Sequence, residues 1–180
     1  MKKLVLILGD QLDIDSPILK NLNPKTEQVV MIESIDEAQY VWSHKAKIVL
    51  FLSAMRHFAE QLEERGLPLI YIKQSPQSIG GTLRDLIPKK QFTHLVCLEP
   101  GEYRLKCEIE NVASEFSIDL EMQEDPHFFC SRHEFENWVA GKKELRLEYF
   151  YRLMRKTHNI LVDKEAVSYT HLRAHETGRN

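Results

Sequence analysis

The sequence predicts an α/β fold: a Rossmann-like, doubly wound, five-stranded parallel sheet with helices on both faces, followed by linker helices. Three observations carry this expectation. Short unbroken apolar runs recur at residues 4–8, 29–32, 69–72 and 95–98, as in strands covered on both faces. Patterns of helical period lie between these runs, and a strand–helix–strand order implies right-handed crossovers between parallel strands. Only 7 Gly and 7 Pro among 180 residues argue against long irregular segments.

The first strand, 4–8, ends at Gly9, which lets the backbone turn tightly, and Asp10 and Gln11 follow at once. Ligands in doubly wound sheets sit at the carboxyl ends of strands, so these two polar groups are candidates for binding a polar ring edge; a turn with an aspartate helix cap is the alternative. The second strand runs into "IESIDEAQY", residues 32–40, where Glu33, Asp36, Glu37 and Tyr40 suit a hydroxylated heteroaromatic ligand. An acid-rich helix start favoured by the helix dipole explains the same residues.

The long segment 44–66 places Ile48, Phe51, Leu52, Met55, Phe58, Ala59 and Leu62 on one helical face, with Gly66 as its stop. Its "IVLFL" alone would pass for a strand, but the period continues through Leu62 without a turn signal. The fourth strand leads into "LEPGEYR", which presents Glu99, and then a helix over 102–116 with Leu105, Ile109, Val112 and Phe116 on one face. Residues 118–122 make the fifth strand. Beyond Pro126 two helices are expected, broken at Gly141, the second carrying Tyr149, Phe150, Tyr151, Arg152, Arg155 and Lys156 within two turns. The organisation expected is therefore an α/β domain over 1–126 and linker helices over 127–166. Residues 167–180, "VSYTHLRAHETGRN", lack periodicity and caps and read as sequence foreign to the fold.

The net charge of −3 offers no global attraction for nucleic acid. No apolar run approaches the ~20 residues of a membrane helix, so no membrane partner is expected and the cytoplasm is the default location. Cys97, Cys107 and Cys130 have no Cys-x-x-Cys spacing and read as reduced thiols. His171 and His175 stand four apart without a third ligand. There is no Gly-x-Gly-x-x-Gly, "GGTLRD" lacks the end of a Walker loop, and no Gly-x-Ser-x-Gly elbow is present. His57 and His133 read as surface or packing residues, so no catalytic constellation emerges.

Taken together, "LVLILGDQL", "LSAMRHFAEQL", "EPGEYR" and "LEYFYRLMRKT" resemble the deoxyribodipyrimidine photolyase-related proteins, the bacterial iron–sulfur branch of the photolyase and cryptochrome superfamily. The resemblance covers residues 2 to about 165. It implies an amino-terminal antenna domain holding a ribityllumazine chromophore that passes excitation to a flavin. It also implies that FAD, an iron–sulfur cluster and the surface for damaged DNA belong to a carboxyl-terminal helical domain in cis, beyond this chain, which by itself is expected to be monomeric. Carried over by position, the chromophore site is Gly9, Asp10 and Gln11; Ile32, Glu33, Glu37 and Tyr40; Phe51, Leu52 and Met55; and Glu99. The ring of Phe51 either stacks on the lumazine or fills its place. A stand-alone nucleotide- or flavin-binding α/β module without enzymatic activity is the alternative reading.

Overall fold

Alternation of apolar side chains along five strands decides how this chain layers. In the computed structural model, which describes residues 2–162, β1 (Lys3–Ile7), β2 (Glu27–Ser34), β3 (Leu69–Ser75), β4 (His94–Leu98) and β5 (Asp119–Gln123) form one sheet of order β3-β2-β1-β4-β5. Every pairing is parallel. The expected doubly wound sheet is the observed one, and each expected strand is present with its ends shifted by three residues at most. The foreign-looking tail, with His171 and His175, lies outside the described residues.

Successive side chains of a strand face opposite sides of the sheet, so two cores form. Leu4, Leu6 and Leu8 join Val30, Ile32, Leu95 and Cys97 under α4 (Ile79–Lys90) and α5 (Tyr103–Glu115), which contribute Leu83, Ile87, Ile109 and Val112. Val5, Ile7, Val29, Met31, Val96 and Leu98 face the other way, against α1 (Pro17–Lys20) and α3 (Lys45–Glu64). A short α2 (Ile35–Tyr40) follows β2 directly. Helical period wins over strand propensity at "IVLFL", all of which is helix in α3. That helix stops as expected: Gly66 takes φ +71° and its amide bonds the Glu63 carbonyl at 2.8 Å.

The helix α4 has no counterpart among the sequence expectations. Its Gly80-Gly81 start and internal Pro88 mask the apolar stripe of Ile79, Leu83 and Ile87, yet Ser78 caps it by accepting the Gly81 amide and donating to Glu108 Oε1. Gly80 is required by close approach, since a Cβ there would meet the Glu108 side chain at 2.5 Å.

The described chain divides after Asp125 into two units. The second contains α6 (Arg132–Val139) and α7 (Leu147–Thr157), the two helices expected on either side of Gly141, whose φ is +74°. Ser131 and Glu134 form a capping box at the start of α6. Phe135, Trp138 and Phe150 pack ring to ring, with centroids 4.9–5.8 Å apart. No residue of either helix is buried. Among the described residues no helix is long and apolar enough to cross a membrane.

Ile109 is fully buried at the centre of the α4–α5 layer. Ile109→Ala is expected to lower the unfolding free energy by about 2 to 5 kcal/mol, the usual cost of a buried isoleucine truncated to alanine. Urea denaturation with an unchanged m-value checks this; a loss below about 1 kcal/mol would mean that the layer repacks.

Candidate functional site

A cleft of about 400 Å³ opens at the carboxyl ends of β1, β2 and β4. Leu8, Ile32, Ile48, Leu52 and Leu105 give it apolar walls, while Asp10, Glu33, Glu37, Lys47 and Glu102 bring charge to it. The volume lies in the ordinary range for a small-molecule site, as does the combination of apolar walls with a few polar groups. Of the eleven residues singled out from the sequence, nine line it: Gly9, Asp10, Ile32, Glu33, Glu37, Tyr40, Phe51, Leu52 and Met55.

The other two do not. Gln11 is 3% exposed, and its amide donates to the Glu99 carbonyl at 3.1 Å and to Asp125 Oδ2 at 3.5 Å. It ties the end of β1 to the chain leaving β4 and β5. Glu99 accepts from Lys106 Nζ at 2.6 Å, within its own side of the sheet.

Gly9 stands in the expected tight turn, which the Gln11 amide closes by donating to the Leu8 carbonyl at 3.0 Å. The turn does not need glycine, since φ is not positive there; close approach does, because a Cβ would lie 2.5 Å from Phe51 Cζ and 2.9 Å from Met55 Sδ. Glycine here admits the Phe51 ring against the backbone at the end of β1. Phe51 thereby becomes part of the cleft surface while staying 45% exposed. The first turns of α3 that bring it there bury nothing: all four buried residues of the helix, Met55, Phe58, Ala59 and Leu62, lie in its second half.

Glu33 is the most heavily engaged group. It is 2% exposed and accepts from Arg56 Nε at 2.8 Å, from Arg56 Nη2 at 3.0 Å and from the Tyr71 hydroxyl at 2.5 Å. A β-bulge lies beside it: Ile32 pairs with Ile72 but Ser34 pairs with Ser75, so β3 carries an extra residue, with Gln74 at φ +53°. The Arg56 bonds hold the Glu33 carboxyl below its usual range against the opposing effect of burial, with Tyr71 and Gln74 adding to the shift. Burial, and then the adjacent carboxylate, push the Tyr71 phenol up. Glu33 therefore lines the cleft as a satisfied anion, not as the open acceptor its position after β2 suggests.

A second ion pair spans the rim. Arg104, in the first turn of α5, forks onto Glu37 of α2, Nη1 to Oε1 at 2.9 Å and Nη2 to Oε2 at 2.5 Å. It also holds Glu102 through Nε at 2.8 Å, and its guanidinium carbon lies 4.2 Å from the centre of the Tyr40 ring. Glu37 itself is set by the Ser34 hydroxyl, which caps α2 by accepting the Glu37 amide at 3.1 Å. Asp10 is exposed.

The model of the family described as deoxyribodipyrimidine photo-lyase-related protein matches residues 5–168. The chain belongs to this family. It is also 38% identical over 169 residues to a (6-4) photolyase of Agrobacterium fabrum, an alignment that takes in 92% of this chain and 33% of that relative. The chain thus spans about a third of the length of the curated relative it matches.

Sequence reasoning missed Arg56, Tyr71 and Arg104 as builders of the site. "LSAMRHFAEQL" and "EPGEYR" contain both arginines, but Glu33 and Glu37 lie 23 and 67 residues from them, and nothing local announces those two pairings. The expected readings of His57 and His133 agree with their exposed contacts to Glu60 and Asn137. Burial pushes the Cys97 thiol up to about 12, with the Glu99 charge as a lesser cause. Among the described residues no group of three or more His, Cys, Asp or Glu is placed to hold a metal ion.

Because the folded carboxyl of Glu33 titrates below its ordinary value of 4.5, the stability it contributes is complete above that pH and is lost as pH falls through the depressed value. Glu33→Gln is expected to cost about 1 to 2 kcal/mol at pH 7, a hydrogen-bonded charge discounted because Arg56 can rehydrate. It should also flatten the decline in stability below about pH 4.5. Thermal melts of both proteins from pH 3 to 7 measure this; parallel curves would place the acid sensitivity elsewhere.

Proposed function

We propose that the cleft holds a ribityllumazine-type antenna chromophore, and that the chain is the light-collecting part of a longer photolyase. The observation that carries the reading is convergence: nine residues chosen from separate segments line one cleft at strand ends. Family membership and the partial span of the (6-4) photolyase relative support it.

The residues present fit such a group. Ile32, Leu52 and the Phe51 ring offer apolar area for a flat heterocycle, with Tyr40 available to cover its open side. Asp10 stands at the rim as an acceptor for ribityl hydroxyls, and the Glu37 carboxylate, held in place by Arg104, offers its remaining lone pairs. The chromophore, when bound, supplies absorption of light and transfer of excitation. The walls exclude water from the ring, and the rim fixes its orientation. In the longer protein a carboxyl-terminal helical domain in cis would hold FAD and an iron–sulfur cluster and engage damaged DNA, in a cytoplasmic enzyme that repairs (6-4) photoproducts. The exposed aromatic and aliphatic side chains of α7, with Leu147 80% exposed, suit a helix that such a domain covers.

Fluorescence titration with ribityllumazine tests the site. The wild type is expected to bind, and Tyr40→Ala to weaken binding about three- to tenfold while leaving the melting temperature in place, since Tyr40 is largely exposed. Absence of binding by the wild type would retire the antenna reading. A companion assay addresses the whole reaction: illuminated with DNA carrying (6-4) lesions, this chain alone should leave them intact, and the full-length protein should remove them. Repair by this chain alone would contradict the assignment of the flavin to a further domain.

A further inference from the structure

The strand-like "IVLFL" lies within helix α3, and the cleft uses only one side of it. From Ile48 to Met55 the chain completes two helical turns without a charged side chain. Ile48, Phe51, Leu52 and Met55 of those turns line the cleft. On the opposite face Ala46, Val49, Leu50 and Ser53 follow the same three-four spacing, with Val49 and Leu50 exposed. The stripe then continues as His57, Glu60, Gln61 and Glu64, all exposed. One helix thus changes its outer face from apolar to polar and charged halfway along its length. A helix that is apolar on every side belongs to a buried setting, and one with a charged outer face to a solvated surface. The first half of α3 has the composition of the former and the second half that of the latter. Trp42, 89% exposed, stands just ahead of His44, the cap of the apolar end.

We propose that the outer face of the first half of α3, Ala46, Val49, Leu50 and Ser53 with Trp42, is an interdomain interface whose occupant is an apolar helix of the carboxyl-terminal domain in cis. This rests on the reading of the chain as the light-collecting part of a longer photolyase, and it names the surface that joins that part to the rest. Three observations favour this occupant. The chain spans about a third of its (6-4) photolyase relative, so most of that protein's length is available to cover a face left open here. The apolar stripe is confined to the half of α3 that carries Ile48 and Phe51 of the cleft wall. A domain that receives excitation from the cleft has to lie close to it, because such transfer falls steeply with distance. Finally, the small side chains of Ala46, Ser53 and Ala54 flank Val49 and Leu50, which lets a second helix approach closely and seat its ridges between them. Trp42 adds a large aromatic anchor of the kind on which interfaces concentrate their binding energy.

The test is hydroxyl-radical footprinting of this chain and of the full-length protein, which reads the exposure of side chains one by one. Oxidation of Trp42 and Leu50 should fall at least about threefold in the full-length protein, because anchor residues are desolvated in an interface. His57, on the charged half of the same face, should keep its reactivity. Leu50→Glu separates the interface from folding: in this chain it should shift the melting temperature by less than about 2 °C, since the side chain is exposed and glutamate is a good helix former. In the full-length protein the same variant should return Trp42 to the reactivity it has in this chain. Light scattering of this chain at rising concentration should show a monomer. A dimer that Leu50→Glu dissociates would make a second copy the occupant and overturn the proposal, as would Trp42 and Leu50 equally reactive in the two wild-type proteins. Titration with ribityllumazine keeps the two readings apart, because Leu50 lies outside the cleft lining. Shielding of Trp42 and Leu50 without ribityllumazine binding supports the interface and retires the antenna reading; binding without shielding overturns the interface and leaves the antenna reading standing.

Discussion

A single buried carboxylate organises the end of the sheet where the site lies. Glu33 sits at the last turn of the pleat in β2, enclosed on all sides, and a charge there is tolerable only if every lone pair finds a donor. The donors come from two elements: Arg56 gives Nε and Nη2 from α3, and Tyr71 gives its hydroxyl from β3, ahead of the bulge that shifts the pairing of β3 with β2. Satisfying that charge therefore ties α3 to β2 and β3 through Arg56. Since α3 also brings Phe51, Leu52 and Met55 to the cleft, the apolar wall is held beside an ion pair whose carboxylate lines the same cleft.

The rim follows a different rule. Glu37 and Glu102 are partly exposed, so their bonds to Arg104 stabilise the fold little compared with those of Glu33. What they contribute is position: a bidentate fork and a ring contact give Tyr40 and Glu37 one arrangement where two flexible side chains would otherwise have many. The interior ion pair ties three elements together, and the rim pair fixes the arrangement of Glu37 and Tyr40.

Much of this was legible in the order of residues. Continuous branched apolar runs identified four of the five strands, because a strand buried on both faces leaves no polar alternation to confuse the reading; β5, DLEMQ at the edge of the sheet, has no such run and was placed by its position after α5. The helical period through Leu62 correctly outweighed the strand-like "IVLFL". Strand ends pointed to Gly9, Asp10, Ile32, Glu33, Glu37 and Tyr40, since topology alone places such residues side by side. The helix α4 escaped because two glycines and a proline depress its propensity, while packing on Leu83 and Ile87 supplies what propensity lacks. Gln11 lies outside the cleft lining because its amide is drawn to the Glu99 carbonyl and to Asp125, partners 88 and 114 residues away that no local pattern announces. The pairing of Arg56 and Arg104 depends on tertiary proximity and left no local trace.

The uneven burial of α3 has a consequence for motion. One continuous helix is rooted by Met55, Phe58, Ala59 and Leu62 at one end and bears Val49 and Leu50, 66% and 71% exposed, at the other. Opening free energy must therefore rise along its axis, from turns that fray in isolation to turns that open only when the whole domain unfolds. Ile48 and Phe51 of the cleft wall stand on the fraying half, and Met55 on the rooted one. Breathing of the fraying turns would open the cleft without disturbing the sheet, and under the chromophore proposal a ring packed against Phe51 would lend the first turns the apolar contacts the core does not give them.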